Sequence, residues 1–264
     1  MSTPQAVLFD FSTTLFHLDT GERLLAPVLA QLDCPLRDDE RLALRARLGA
    51  VITGGGWRQA LHPDQWPAGV ADAWSRRHLD PAAHRTAYTW LLDAAGLPRR
   101  ELPELLYRRL TDPGAWRPYP DTAAALRATR AVGRRVGVVS NIAWDIRPVF
   151  AAHGLADQVD ATVLSFEVSA AKPDPRIFHI ACDRLGVRPE DTIMIGDDPR
   201  EDGGIRRTAG HYREVPRRAP EQRPDGLLTA LAAAGLSAQS DDDESEGGIQ
   251  RSQVVRIRGH DGRS

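Results

Sequence analysis

Ala6-Val7-Leu8-Phe9-Asp10-Phe11-Ser12-Thr13-Thr14 places four consecutive apolar residues before an aspartate, a phenylalanine and three hydroxyl side chains. A short unbroken apolar run reads as a strand buried on both faces, which is the pattern of a parallel sheet rather than of a half-exposed antiparallel one. Similar runs recur at Val136-Gly137-Val138-Val139, Ala161-Thr162-Val163-Leu164 and Thr192-Ile193-Met194-Ile195. Helical signals lie between them. Asp121 or Thr122 opens a helix through Arg130, Asp174-Pro175 opens one through Leu185 that stops at Gly186, and another is expected from Glu201 to about Ala209. A last short strand is expected over His211 to Val215. Strands alternating with helices in this way predict an α/β fold with a doubly wound parallel sheet.

Between the first strand and Asp121 the apolar residues recur at helical spacing, as in Leu24, Leu25, Val28, Leu29 and Leu32, then Leu42, Leu44 and Leu48, and later Leu102, Leu105 and Leu106. About five helices are expected there, interrupted by Gly54-Gly55-Gly56, where the backbone is most permissive. The expected organisation is a core from 1–16 and 117–235, a helical insertion over 17–116, and a polar, acidic, disordered tail over 236–264.

The chain has 264 residues, enough for a core plus an insertion, and it is 42% hydrophobic and 27% charged. Its 34 basic and 36 acidic side chains leave a formal charge of -2, so no overall field draws it to nucleic acid or an anionic membrane, and neither partner is expected. Its two cysteines, Cys34 and Cys182, form no disulfide framework or metal spacing and fit a reducing compartment. With no basic leader segment and no apolar run of membrane-spanning length, a cytoplasmic location is expected; no protein partner is legible. Of the 34 basic residues, Lys172 is the single lysine; the other 33 are arginine. A chain so biased to arginine uses lysine where a compact point charge is needed.

Ligands on open parallel sheets bind outside the carboxyl ends of the strands. Asp10, Ser140-Asn141, Lys172 and Asp197-Asp198 fall at or just beyond such ends, combining carboxylates, a hydroxyl donor and a cation. That set suits phosphoryl transfer to a carboxylate nucleophile, with acids to hold a divalent ion and donors for phosphate oxygens.

The four segments, in this order, resemble the motifs of the haloacid dehalogenase superfamily of hydrolases, over residues 6 to about 215. The first motif is matched by Asp10-Phe11-Ser12-Thr13-Thr14, the second by Val138-Val139-Ser140-Asn141, the third by Ala171-Lys172-Pro173 through Phe178, and the fourth by Ile195-Gly196-Asp197-Asp198 through Asp202. The resemblance implies a Rossmann-like core whose helical insertion closes over the substrate as a cap. It also implies a phosphatase in which Asp10 attacks phosphorus and forms an aspartyl phosphate. Ser140 and Asn141 then bind phosphate, and Lys172 balances charge on both nucleophile and phosphate. Mg²⁺ is implied on the carboxylates of Asp10 and Asp197 and the main-chain carbonyl of Ser12, with waters supported by Asp202 or Asp198. Oxygen ligands and retained waters are what Mg²⁺ prefers.

Ser12 departs from the family pattern, because phosphatases carry there a second Asp that protonates the leaving oxygen and later activates water. A serine hydroxyl does not titrate near neutral pH, which puts a factor of about 10² to 10⁴ at stake. Three outcomes stay open: slow turnover with water or an insertion residue as acid, a substrate whose leaving group needs no acid, or a phosphate- or partner-binding protein without turnover. Haloacid dehalogenation ranks below these, since family dehalogenases work without metal and usually carry Tyr at that place, whereas Asp197, Asp198 and Asp202 keep the acidic pattern. Thr13 replaces the usual glycine, so the loop geometry is expected to differ.

Other residues carry plainer readings. Asp198 suits a helix cap as well as a site residue, and Asp202 an ordinary first-turn acid. His17 is read as a hinge residue, with replacement of the missing acid as the sharper alternative. Trp57, Arg58 and His62 are the specificity candidates, the remaining tryptophans of the insertion are read as packing, and Arg206-Arg207 and Arg217-Arg218 as solvated faces.

Overall fold

The computed structural model describes residues 3–19, 22–32, 35–52 and 66–236. Its strands are β1 (Ala6–Phe9), β2 (Phe16–Leu18), β3 (Trp116–Pro118), β4 (Arg135–Ser140), β5 (Ala161–Leu164), β6 (Thr192–Gly196) and β7 (His211–Glu214). The helices are α1 (Glu22–Leu29), α2 (Asp38–Ile52), α3 (Ala68–Arg76), α4 (Pro81–Ala94), α5 (Leu102–Leu110), α6 (Thr122–Ala131), α7 (Arg147–Ala152), α8 (Ser165–Val168), α9 (Pro175–Leu185) and α10 (Gly226–Ala233).

Five strands form one sheet in the order β5-β4-β1-β6-β7, each pair parallel. The unbroken apolar runs divide by alternation between two faces. Val7, Phe9, Val136, Val138, Ile193 and Ile195 meet Leu126 of α6, Phe150 of α7 and Leu231 of α10. Leu8, Val139, Val163 and Met194 meet Ile177, Phe178 and Ala181 of α9 on the other side. Both faces are therefore covered, as expected of a doubly wound sheet. Gly137 is required by this packing, because a Cβ there would stand 2.5 Å from Leu8 Cδ2.

Local signals act as read, with two differences. Asp174 accepts from the Arg176 amide at the start of α9, and Gly186 ends that helix at φ +66°. Asp121, expected to cap α6, makes no such bond; its carboxylate accepts from the amides of Leu227 and Leu228 and so opens α10 instead. A carboxylate buried between two helix starts takes the donors that tertiary packing brings nearest. The segment expected as a helix after Glu201 is a 3₁₀ turn over Asp202–Thr208, ended by Ala209 at φ +67°.

The chain leaves the sheet through β2 and returns through β3, and these pair antiparallel with His17 opposite Arg117. This ribbon, which sequence did not foretell, seats exit and return side by side. Between them α1, α2, α4 and α5 enclose an apolar centre of their own, including Leu25, Val28, Leu44, Leu48, Leu92, Leu102 and Leu106. Leu42 is the exception: two residues before Leu44, it falls on the opposite side of α2 and is 71% exposed. Trp66 and Trp90 pack with Val70 and Leu91, and Trp74 meets Trp66 edge-on, so these rings serve packing. Cys182 is free and buried. Among the described residues no helix is long and apolar enough to cross a membrane. Cys34, Gly54, Gly55, Gly56, Trp57, Arg58, His62 and the expected tail beyond residue 236 lie outside the described residues.

Candidate active site

Register brings the motif residues together. Phe9 of β1 lies opposite Val138 of β4 on one side and Ile195 of β6 on the other. The next residue, Asp10, therefore stands beside the ends of both neighbours, where Ser140 and Asp197 emerge. Its amide donates to the Ile195 carbonyl at 3.0 Å, which extends the ladder by one step and fixes where the carboxylate starts. Phe11 turns the opposite way into an aromatic cluster with Phe16, Trp116, Trp144 and Phe150, giving the loop a packed floor.

Lys172 is the hub. Its Nζ donates to Asp10 Oδ1 at 2.6 Å, Asp202 Oδ1 at 2.6 Å and the Val139 carbonyl at 3.0 Å. All three ammonium donors are used, a geometry that a planar guanidinium does not reproduce. Asn141 holds the Lys172 backbone from the end of β4, and also donates to Glu201 Oε2 at 3.0 Å. Asp202 Oδ2 accepts from the Asp198 amide at 3.0 Å, and Gly196 makes room for it: a Cβ at 196 would lie 2.1 Å from that oxygen. Asp198 itself faces away and caps the following turn through the amides of Arg200 and Glu201. Ser140, the last residue of β4, is buried at the same edge.

Asp197 is heavily engaged. Oδ1 accepts from Thr14 Oγ1 at 3.1 Å; Oδ2 accepts from Thr13 Oγ1 at 2.6 Å and from Arg217 Nε. Thr13 sits at φ +63°, a region a β-branched residue rarely enters. The loop therefore holds Thr13 in a left-handed backbone, with its hydroxyl on Asp197. Arg223, buried against the face of Tyr119 with its guanidinium carbon 3.4 Å from the ring centroid, donates to the carbonyls of Thr13 and Thr14 and braces the same loop.

Asp10, Asp197 and Asp202 are all buried and offer one carboxylate oxygen each within 4.8 Å of one another. Burial, with Asp202 and Asp197 adding to it, pushes the Asp10 carboxyl up to about 8 against the opposing pull of Lys172. Burial opposes the charge on Lys172, but Asp10 and Asp202 beside it outweigh burial and raise it, so it stays protonated. Burial likewise raises Glu201. The three carboxyl groups that face Lys172 and Arg217 offer hard oxygen donors, the kind that suits Mg²⁺.

The structure thus gathers Asp10, Lys172, Asp197 and Asp202 in direct or near contact, with Ser12 following Asp10 in the loop and Ser140 and Asn141 at the neighbouring strand end. His17 is elsewhere: its ring packs edge-on against Tyr119, and Nδ1 meets the Leu18 carbonyl within the ribbon. Arg217 corrects the reading of a solvated face, because the chain after β7 turns it onto Asp197. The rule that placed Asp197 at a strand's carboxyl end also covers Arg217, three residues beyond β7. Arg223 and Glu201 carry no such signal and are placed only by folding. The helical insertion reaches this end of the sheet, where Ser165 Oγ donates to the His78 carbonyl.

An aspartate and lysine at the carboxyl edge of an open parallel sheet, flanked by two further carboxylates, form a buried acidic centre where such sheets bind their ligands. The chain belongs to the haloacid dehalogenase-like hydrolases, whose family model matches residues 4–210. It is 34% identical over 168 residues to the phosphoserine phosphatase of Thermus thermophilus, covering 59% of this chain and 66% of that one. It is 33% identical over 87 residues to (S)-2-haloacid dehalogenase 1 of a Pseudomonas species, covering 33% of this chain and 38% of that one. The chain thus spans between about two fifths and two thirds of these relatives' lengths. In fold it is similar to a haloacid dehalogenase-type phosphatase from Thermococcus onnurineus, at TM-score 0.53 and 24% identity over 88% of this chain and 99% of that one. It is also similar to a crystallised dehalogenase, at TM-score 0.60 and 22% identity over 88% and 98%.

Proposed function

We propose that this hydrolase is a Mg²⁺-dependent phosphatase acting on a small phosphorylated metabolite through an aspartyl phosphate on Asp10. The observation that carries this reading is the buried cluster of Asp10, Asp197 and Asp202 around Lys172, three carboxyl groups whose oxygens lie within 4.8 Å of one another. Lys172 holds Asp10 Oδ1 and leaves Oδ2 to attack phosphorus in line with the leaving oxygen. As the phosphorus–oxygen bond to the leaving group breaks, Ser140 and the Lys172 ammonium stabilise charge on the phosphoryl oxygens. Asp10 and Asp197, with the Ser12 carbonyl, would hold Mg²⁺, supported by Asp202; when bound it supplies charge neutralisation at the phosphoryl group. Ser12 offers no titratable proton, so the leaving oxygen takes its proton from water, and substrates with weakly basic leaving groups turn over best. Water then attacks phosphorus and frees Asp10. The helical insertion, joined by the β2–β3 ribbon, acts as the cap that screens this step. The phosphoserine and glyceraldehyde 3-phosphate phosphatases among the relatives act, by name, on small phosphate esters, which supports the substrate class.

A second reading, attack by Asp10 on the halogen-bearing carbon of a haloacid, is favoured by one observation: both Asp197 oxygens are already held by Thr13, Thr14 and Arg217. Hydrolysis of an aryl phosphate, with and without Mg²⁺, by wild type and Asp10→Asn separates the two, with 2-chloropropionate as the second substrate. Metal-dependent turnover lost by at least about 10³-fold in a folded Asp10→Asn supports the phosphatase. Chloride release without metal, and no phosphate release, supports the alternative. An Asp10→Asn variant as active as wild type refutes both.

A further inference from the structure

We propose that Arg217 is a resident counter-cation of Asp197 that competes with the divalent ion and so sets the metal affinity of this site. The inference rests on the metal-dependent reading above and concerns how that metal is admitted. Arg217 Nε donates to Asp197 Oδ2, and its Nη2 lies 3.9 Å from Asp198 Oδ2. The pair is asymmetric: the Asp197 side chain is 3% exposed, the Arg217 side chain 59%. The carboxylate is fixed by Thr13 and Thr14 from inside, whereas the guanidinium reaches in from the chain after β7 and is wetted on its outer side. Arg217 is therefore the partner that can leave without opening the core. Arg223 does not share this role, because both its terminal nitrogens are committed to the carbonyls of Thr13 and Thr14.

Two cations cannot both bind the Asp197 carboxylate at full strength. Metal entry has to displace the guanidinium or share the carboxylate with it, and like charges a few ångströms apart weaken each other's binding. A partly exposed ion pair is a modest barrier, amounting to about a fivefold penalty on the metal association constant. The site then binds metal weakly when empty of substrate. Arrival of an anionic phosphoryl group adds negative charge to the same cluster and favours the ion.

The test is direct metal binding by the full-length protein without substrate, using Mn²⁺ as the probe and following free Mn²⁺ by electron paramagnetic resonance. Arg217→Gln is expected to bind Mn²⁺ about fivefold more tightly than wild type, and Arg217→Lys, which keeps the charge, to stay within about twofold of it. Asp197→Asn serves as the control that loses the site. Circular dichroism confirms that each variant is folded, and should Arg217→Gln not fold, Arg217→Ala takes its place. If wild type binds Mn²⁺ and the uncharged variant binds it equally or more weakly, the competition is refuted while the metal site stands. If neither binds Mn²⁺ at millimolar concentration, the metal-dependent reading itself fails and the inference with it.

Discussion

Asn141 grips the backbone of Lys172 from both sides: its Nδ2 donates to the Lys172 carbonyl at 2.8 Å, and the Lys172 amide donates to its Oδ1 at 2.7 Å. The residue just after β4 thus positions the lysine that holds Asp10, 31 residues further along the chain. Asn141→Asp keeps the shape but turns an acceptor onto the Lys172 carbonyl and onto Glu201 Oε2, where a donor stood. Setting acceptor against acceptor in a part-buried site is expected to cost about 1–3 kcal/mol of stability, read from urea unfolding, and to lower kcat more than it raises KM.

Ser12→Asp supplies a titratable group at the place where a proton is needed. Activity on alkyl phosphates is expected to rise by about 10- to 100-fold, at or below the lower end of what general acid catalysis supplies, and activity on aryl phosphates much less. The ratio of the two rates is the diagnostic quantity. An unchanged ratio means that the missing acid does not limit turnover.

At Gly196 the backbone passes so close to Asp202 that a methyl group has no room, its carbon falling 2.1 Å from the carboxylate oxygen. Gly196→Ala is expected to push Asp202 off Lys172, lowering stability by about 1–3 kcal/mol and disturbing the cluster that holds Asp10. A thermal melt reads the first effect and aryl phosphate turnover the second.

The insertion carries its own pH dependence. His84 of α4 is buried, stacks on Tyr88 at 4.3 Å and meets the Tyr107 hydroxyl at 2.9 Å. Burial, helped by the nearby charge of Arg77, pushes its imidazole down to about 4. The unfolded chain takes up that proton near pH 6.5 and the folded chain only near 4, so stability falls as pH falls through this window. The loss at pH 5 is expected to reach about 2 kcal/mol. Urea midpoints between pH 7 and pH 5 should shift less in His84→Gln than in wild type, since the variant has no imidazole to protonate.

The sequence by itself determined the sheet, because unbroken apolar runs are stable only when both faces are covered. It also determined that Asp10, Ser140, Lys172 and Asp197 share one edge, since parallel strands all present their carboxyl ends to the same side. The arginine bias singled out Lys172 for a reason the fold makes concrete: three acceptors arranged around one small ammonium. What only the tertiary structure decided are the contacts that no local pattern encodes. Asp121 opens α10 rather than its own helix, the β2–β3 ribbon joins residues a hundred positions apart, and Arg223 braces the loop after β1 from 210 residues away. Arg217 shows the limit most clearly. In sequence it is one of 33 arginines; in the fold it faces a buried carboxylate, because the path of the chain beyond β7, not the residue's identity, chooses its partner.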